Sequence, residues 1–381
     1  MATINQNQIA ATLGVSRSTV SYVLSGKAKE KRISDEVVRR VRVAAEQVNY
    51  KPHGFARSLS RQRTKQIGIL LRNAADRPFD NPPVMEFLMG INLRLEVAGF
   101  VPVFVRVGDV RAEDQTPSRV FSEHMLDGII AIGPFDAPLI ERLKQLSATC
   151  IWLDGTVWEP RRCIRRDERD AGRQAAQMAI AAGYKSLVWY GGKSRPSGSH
   201  YSLTDRERGM CETATAAGLT IHQVDCVRNF DKPMQQAMIP LLKPDVAWVA
   251  YNTFGASRLN YAAGALGLRA GVDFGLVCCE EWEDTRCTWP ELSRVTFNRL
   301  DMGVAAADML MDVLRHSPDD CESRVMGFPI HRGATLLGPA AHEQGEERST
   351  AMLLERIADP RVSSPWDESQ NSVADRVGKR N

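Results

Sequence analysis

The chain has 381 residues, of which 43% are hydrophobic and 25% charged, a length for two or three domains and a composition ordinary for a globular protein. No run approaches the roughly 18 apolar residues of a membrane span, and the start, Met1-Ala2-Thr3-Ile4-Asn5-Gln6, lacks the basic and apolar stretches of a secretion signal, so no membrane association and a cytoplasmic location are expected. The net charge of +3 is uneven: residues 1–65 hold 13 Lys and Arg against 4 Asp and Glu, leaving a head of +9 on a body of −6, and this points to a polyanionic partner for the head alone.

The first sixty residues predict three short helices. Asn5 is placed to cap a helix ending near Leu13, and Gly14 breaks it. Ser16 caps a second helix, Arg17 to Leu24, which Ser25-Gly26 ends. After the basic stretch Lys27–Arg32, Ser34 caps a third, with Val37, Val38, Val41, Ala44, Ala45 and Val48 as its apolar stripe. Two helices joined by a tight glycine turn form a helix-turn-helix, whose second helix presents its N-terminal residues to DNA base edges. On that reading Arg17, Ser18 and Tyr22 face the bases, and Arg17 can bond a guanine edge bidentately. Ser16, Thr19 and Ser21 reach phosphates, as do Lys29, Lys31 and Arg32 beside the backbone. A plain three-helix bundle with a polar surface would carry neither the basic excess nor this cluster at one helix start.

Pro52 stops the third helix. His53 to Arg61, including Ala56 and Leu59, makes at most a short helix that is marginal in isolation. From Gln66 buried strands alternate with amphipathic helices. The strands are Ile67–Leu71, Val101–Val107, Gly128–Ile132, Cys150–Leu153, Ser186–Tyr190, Val246–Ala250 and Gly275–Cys279. The helices include Pro83–Ala98, Asp170–Ala182, Arg206–Ala217 and Ser257–Leu266. This beat predicts parallel α/β sheets, and about 270 residues suit two similar lobes. Ligands of such sheets bind beyond the carboxyl ends of the strands. Asp154, Arg206, Asn252 and Glu280 stand there, and Trp152, Trp158, Phe254 and Trp282 are candidates to stack on a sugar face. The long polar loop from Gly191 to Asp205, with His200, is expected near the same cleft.

The eight cysteines form no CxxC pair and no spacing with histidine that suits a metal, so free thiols are expected, with no metal and no cofactor. Gly192-Lys193-Ser194 lacks the earlier glycine of a phosphate loop, and no HExxH or GxSxG occurs; the chain is not expected to be an enzyme. The charged stretch from Ala340 to Asn381 is expected to be disordered apart from one short helix around Met352–Ile357.

The string Gly14-Val15-Ser16-Arg17-Ser18-Thr19-Val20-Ser21-Tyr22-Val23-Leu24-Ser25-Gly26 resembles the signature of the LacI (lactose/purine repressor) family of bacterial transcription regulators. So do Asn49-Tyr50-Lys51-Pro52 and Ala56-Arg57-Ser58-Leu59. Looser landmarks follow in family order: Asp127-Gly128-Ile129-Ile130, Tyr251-Asn252-Thr253, Pro290 to Val295, and His331 to Thr335. The resemblance covers about 1–338 and implies an all-α helix-turn-helix head plus an α/β two-lobed periplasmic-binding-protein-like effector domain. It implies a DNA-binding domain at 1–50, a hinge helix at 51–63 and an effector and dimerisation domain at 66–338. It also implies a homodimer on a near-palindromic double-stranded DNA operator, Leu59 inserted in the minor groove beside Ala56, and a small-molecule effector, expected to be a carbohydrate, held by Asp154, Arg206, Asn252 and Glu280. Two departures stand out: Lys27–Arg32 runs about three residues longer than the family's turn, and Cys278-Cys279-Glu280 replaces an aspartate context. The competing readings are a ligand receptor that binds no operator, and a DNA-binding regulator that answers no effector.

Overall fold

The computed structural model describes residues 5–48, 50, 63–71, 82–105, 121, 123, 125–146, 149–192, 200–226, 236–281, 289–316, 321–327 and 329–339. Its contacts divide the chain into two units, Met1–Lys65 and Gln66–Asn381.

In the first unit α1 (Gln6–Leu13), α2 (Arg17–Leu24) and α3 (Asp35–Gln47) form because each has a local start signal. The Asn5 side chain accepts from Asn7 and Gln8 amides while Gln8 reaches back to the Asn5 amide, a complete capping box. Ser16 accepts from the Thr19 amide at 3.0 Å and Ser34 from the Val37 amide at 3.4 Å. Gly14, at φ 66, ends α1 in the left-handed conformation that costs glycine least. The three helices bury Ile9, Ala10, Val20, Val23, Ala28, Val41 and Ala45 against one another. Arg40 donates to the Leu13 carbonyl at 3.0 Å, tying α3 to the end of α1.

The second unit contains two six-stranded sheets. The first comprises β1 (Gln66–Leu71), β2 (Val101–Val105), β3 (Gly128–Ile132), β4 (Cys150–Leu153), β5 (Cys163–Arg166) and β11 (Arg324–Met326), in the order β11-β5-β4-β3-β1-β2, all parallel. The second comprises β6 (Ser186–Gly191), β7 (Thr220–Asp225), β8 (Val246–Ala250), β9 (Gly275–Cys278), β10 (Ser293–Val295) and β12 (Ile330–His331), in the order β12-β10-β9-β8-β6-β7. Only its β10–β12 pairing is antiparallel. Helices α4 (Pro82–Val97), α5 (Ala137–Leu146) and α9 (Arg299–Arg315) pack on the first sheet's lobe. Helices α6 (Glu168–Ala181), α7 (Ser202–Ala216) and α8 (Thr253–Ala265) pack on the second.

The chain passes between lobes three times, after β5, after β10 and after β11. The crossings are knit together: the Asp167 amide donates to the Met326 carbonyl at 3.0 Å, and the Thr296 amide to the Pro329 carbonyl at 2.9 Å. Helices α6 and α7 touch backbone to backbone. A Cβ on Gly172 would lie 1.9 Å from the Arg206 carbonyl oxygen, and one on Gly209 would lie 1.9 Å from that of Arg169. Only glycine allows this approach, and it holds the start of α6 against the second and third turns of α7.

Three expectations are corrected. Helix α7 begins at Ser202, so Arg206 lies in its second turn rather than opening it; Tyr201 at the N-cap makes no side-chain cap, and a helix without a cap residue gives no start signal. Strand β5 was not foreseen, because four residues ending in two arginines carry no strand pattern. Helix α4 is apolar on more than its buried face: Phe87, Ile91 and Leu95 are buried, while Met85, Met89, Leu93 and Val97 are exposed beside Asn92 and Glu96.

Candidate nucleic-acid interface and interlobe site

Helix α2 turns Val20 and Val23 into the head's core and leaves Arg17, Ser18 and Tyr22 exposed. Ser16 is committed to its cap and also lies 2.9 Å from the Thr19 hydroxyl, while Thr19 and Ser21 are half-buried. The longer basic segment is a wound series of turns. The Lys27 amide donates to the Tyr22 carbonyl, the Ile33 amide to that of Ala28, and Ala28 is buried as the anchor. Lys29, Lys31 and Arg32 project from it exposed, with Arg32 at φ 52. Lys31 stands 5.4 Å over the Tyr22 ring, so the segment flanks the C-terminal half of the proposed recognition helix. Ala56 and Leu59 lie outside the described residues, as does the expected hinge helix.

In the second unit the carboxyl ends of β4, β5, β8 and β9 meet the starts of α6, α7 and α9. There six charged side chains are buried together: Asp154, Glu168 and Glu280 against Arg166, Arg206 and Arg299. Glu168 and Arg206 form a bidentate pair at 2.5 and 2.9 Å, and Arg206 also donates to the Tyr251 carbonyl at 2.7 Å. Asp154 accepts from Arg166 Nε at 3.1 Å and from the Tyr201 hydroxyl at 2.7 Å. Arg166 continues to Glu168 at 2.9 Å and to Glu280 at 3.4 Å. Glu280 is paired closely with Arg299 and lies 3.6 Å from Arg206. Asp154, Arg166 and Arg299 come from the first lobe, and Glu168, Arg206 and Glu280 from the second. Each lobe therefore presents an excess of one charge to the opposite excess of the other.

Burial alone would raise the Asp154 pKa; the Arg166 guanidinium, with His200 and the Tyr201 hydroxyl, overrides it and holds the carboxyl well below the usual range. Burial would lower the arginines; Asp154 and Glu168 hold Arg166 charged, and Glu168 and Glu280 do the same for Arg206. For Arg299 burial prevails and its pKa falls. The rim adds hydroxyl and ring groups. Ser202 and Tyr251 hydroxyls are 2.7 Å apart, and His200 Nε2 is 2.8 Å from the Asp154 carbonyl oxygen. Arg165 stacks between Trp158 and Tyr201, at 5.2 and 4.6 Å.

Of the sequence candidates, Asp154, Arg206 and Glu280 come together here. Asn252 instead caps α8, its side chain accepting from the Gly255 amide at 2.9 Å. Trp152 is a core residue packed edge-on against Phe135, buried from solvent, and this corrects its reading as a stacking platform. Phe254 is exposed with Arg258 5.3 Å over its ring, and Trp282 lies outside the described residues. Arg166, Glu168, Tyr201 and Arg299 escaped the sequence reading. The doublet Arg165-Arg166 directly before the helix-capping Asp167 was the available signal. The seven described cysteines form no disulfide among the described residues. Burial pushes Cys278 up to about 12, which leaves it an inert thiol.

A helix-turn-helix unit joined to a two-lobed α/β unit with polar groups gathered between its lobes defines a regulator that couples a DNA-binding head to an interlobe site. Comparison with known proteins makes the class specific. Residues 7–53 match the model of bacterial regulatory proteins of the lacI family, and residues 169–335 match the periplasmic binding protein-like domain. The chain therefore carries a LacI-family helix-turn-helix domain followed by a periplasmic-binding-protein-like domain. It is 22% identical to the transcriptional repressor PurR of Erwinia tasmaniensis over 89% of this chain and 98% of that protein. It is 26% identical to the maltose regulon regulatory protein MalI of Escherichia coli over 86% and 96%. It is 23% identical to the ribose operon repressor of Bacillus subtilis over 84% and 93%. Its fold is that of the lac repressor dimer bound to operator and the anti-inducer ONPF, with a TM-score of 0.71 at 19% identity, covering 88% of this chain and 100% of that one. The CelR–cellobiose complex shares it at a TM-score of 0.58 and 20% identity, over 87% and 99%.

Proposed function

We propose that the protein is a transcription repressor that binds a near-palindromic double-stranded DNA operator as a homodimer, with operator affinity set by a small molecule held between the lobes. The observation that carries this reading is α2, where Arg17, Ser18 and Tyr22 stand exposed, with Lys31 over the Tyr22 ring, on a unit of net positive charge. Arg17, Ser18 and Tyr22 read bases; Ser16, Thr19, Ser21 and the basic turn hold phosphates and set register. Residues 51–63 act as a hinge in which Ala56 allows close approach and Leu59 wedges a base step open, a cost of a few kcal/mol repaid by contacts to bent DNA. Residues 66–338 are the effector and dimerisation domain, and 340–381 follow it as a tail.

The homodimer reading is supported by the exposed face of α4, where Met85, Met89, Leu93 and Val97 recur every fourth residue, and by Val101 and Phe104 on edge strand β2. Monomers rarely leave so contiguous an apolar stripe uncovered. The relatives that regulate maltose and ribose operons, and the CelR–cellobiose complex, favour a carbohydrate effector held near Asp154, Arg206 and Glu280. The protein acts in the cytoplasm on the chromosome and catalyses no reaction.

Selection of bound fragments from a random duplex pool tests this reading. Enrichment of one inverted repeat, with half-sites about one helical turn apart, is expected. Leu59→Ala should bind that site more weakly and bend it less in a phasing gel. Unselective retention of the pool would contradict the proposal, and an unchanged bend would remove the wedge.

A further inference from the structure

Three guanidiniums gather around one ring between the lobes. The Cζ atoms of Arg166, Arg206 and Arg299 lie 4.8, 5.3 and 5.3 Å from the Phe297 centroid, and all three residues are buried. Like charges this close, shielded from water, persist only with matched anions. Two of the anions are committed. Glu168 is bidentate on Arg206, and Asp154 is held by Arg166 and Tyr201 together. Glu280 is spread over all three arginines: it is paired closely with Arg299, at 3.4 Å from Arg166 and at 3.6 Å from Arg206. Of these three it is the carboxylate that solvent reaches most, its side chain being 10% exposed against 8% for Asp154 and 0% for Glu168; Glu86, 3.8 Å from Arg299, stands further out at 12%. Beside it Arg299 Nε is buried with no acceptor among the described residues.

We propose that this site takes an anionic ligand, a polyhydroxylated carboxylate or phosphate ester whose charged group replaces Glu280 on Arg166, Arg206 and Arg299. The inference rests on the reading of the two-lobed unit as an effector domain and names its ligand class. A neutral polyol brings only neutral hydrogen bonds, about half as strong as the charge-assisted ones it would have to displace. An anion exchanges like for like, and its further oxygens can accept from Arg299 Nε. The Ser202 and Tyr251 hydroxyls alongside, 2.7 Å apart, suit the hydroxyls of the remainder.

The experiment is thermal unfolding and titration calorimetry of the full-length protein with inorganic phosphate, malonate, glucose 6-phosphate, gluconate and glucose, each against sodium chloride at equal ionic strength. Phosphate or malonate should raise Tm saturably, and which of them does so separates phosphate ester from carboxylate. Glucose should not. Arg299→Met should lose the response, and Glu280→Gln should bind the same anion several-fold more tightly, because the resident competitor has lost its charge. The isosteric Glu280→Gln variant keeps the test decisive if Arg299→Met fails to fold. Silence of every anion at millimolar concentration, glucose binding in its place, or weaker anion binding by Glu280→Gln would overturn the proposal. The same samples are tested on the selected operator. Protein that binds operator but no anion refutes only the ligand class, whereas protein that binds no operator refutes the proposed function.

Discussion

Arg206 and Glu168 meet with both side chains sealed from solvent, at 2.5 and 2.9 Å. Such a pair adds little net stability over an apolar pair, but removing one member leaves a buried ion alone, at a cost of about 3–5 kcal/mol. Arg206→Met should therefore lower the urea midpoint sharply, while Arg206→Met with Glu168→Leu should recover much of the loss. Asp154 adds a pH signature. Its folded pKa lies below its unfolded one, so its contribution is complete above the ordinary aspartate range and is lost as pH falls through the depressed value. The stability gap between wild type and Asp154→Asn should be widest near neutrality. It should narrow by about 1.4 kcal/mol for each pH unit below the unfolded value. A gap independent of pH would show that Asp154 is not held ionised by Arg166.

Elements announce themselves where their signals are local. Asn5, Ser16 and Ser34 each bond an amide within three residues, and the three helices of the head were legible from those caps. Helix α7 was placed a turn late because Tyr201 supplies no cap, and β5 was missed because two of its four residues are arginines, which hide the apolar run that marks β4. The interlobe site was half legible. Asp154 and Glu280 follow buried strands, which is a pattern in sequence. Arg166 and Arg299 join them through contacts 114 and 19 residues apart, and no periodicity encodes that. Helix α4 was read as one amphipathic helix among several, yet a second apolar face is left exposed, with Val97 83% exposed. Its burial in a second copy is the account's explanation, since an exposed apolar stripe of this length is otherwise a liability. Met89→Asp with Leu93→Asp should convert the dimer to a monomer in sedimentation, with the fold retained and operator affinity much reduced. A dimer of unchanged affinity would place the interface elsewhere.

The whole molecule separates two tasks by charge. The head is basic, with α2 and its basic turn exposed, and the larger unit is mildly acidic and buries its own charged cluster. On the proposed function, regulation consists of a ligand that changes how the lobes face each other and, through a hinge, how two heads are spaced. Couplings of this kind are typically about 1–3 kcal/mol, a 5- to 150-fold change in operator affinity. Either sign of coupling is compatible with a cluster that already pairs charges across the lobes without a ligand. What the account cannot lose is sequence-specific binding by the head. The most direct test is the ratio of affinities for the selected operator and for unrelated duplex, measured at one physiological salt concentration. A preference of about 10³-fold or more is expected for wild type. Arg17→Ala should lose about 1–3 kcal/mol of that preference and Lys29→Ala none, since it should weaken both duplexes alike. A wild-type ratio near one, or a ratio untouched by Arg17→Ala, would contradict this reading of the head.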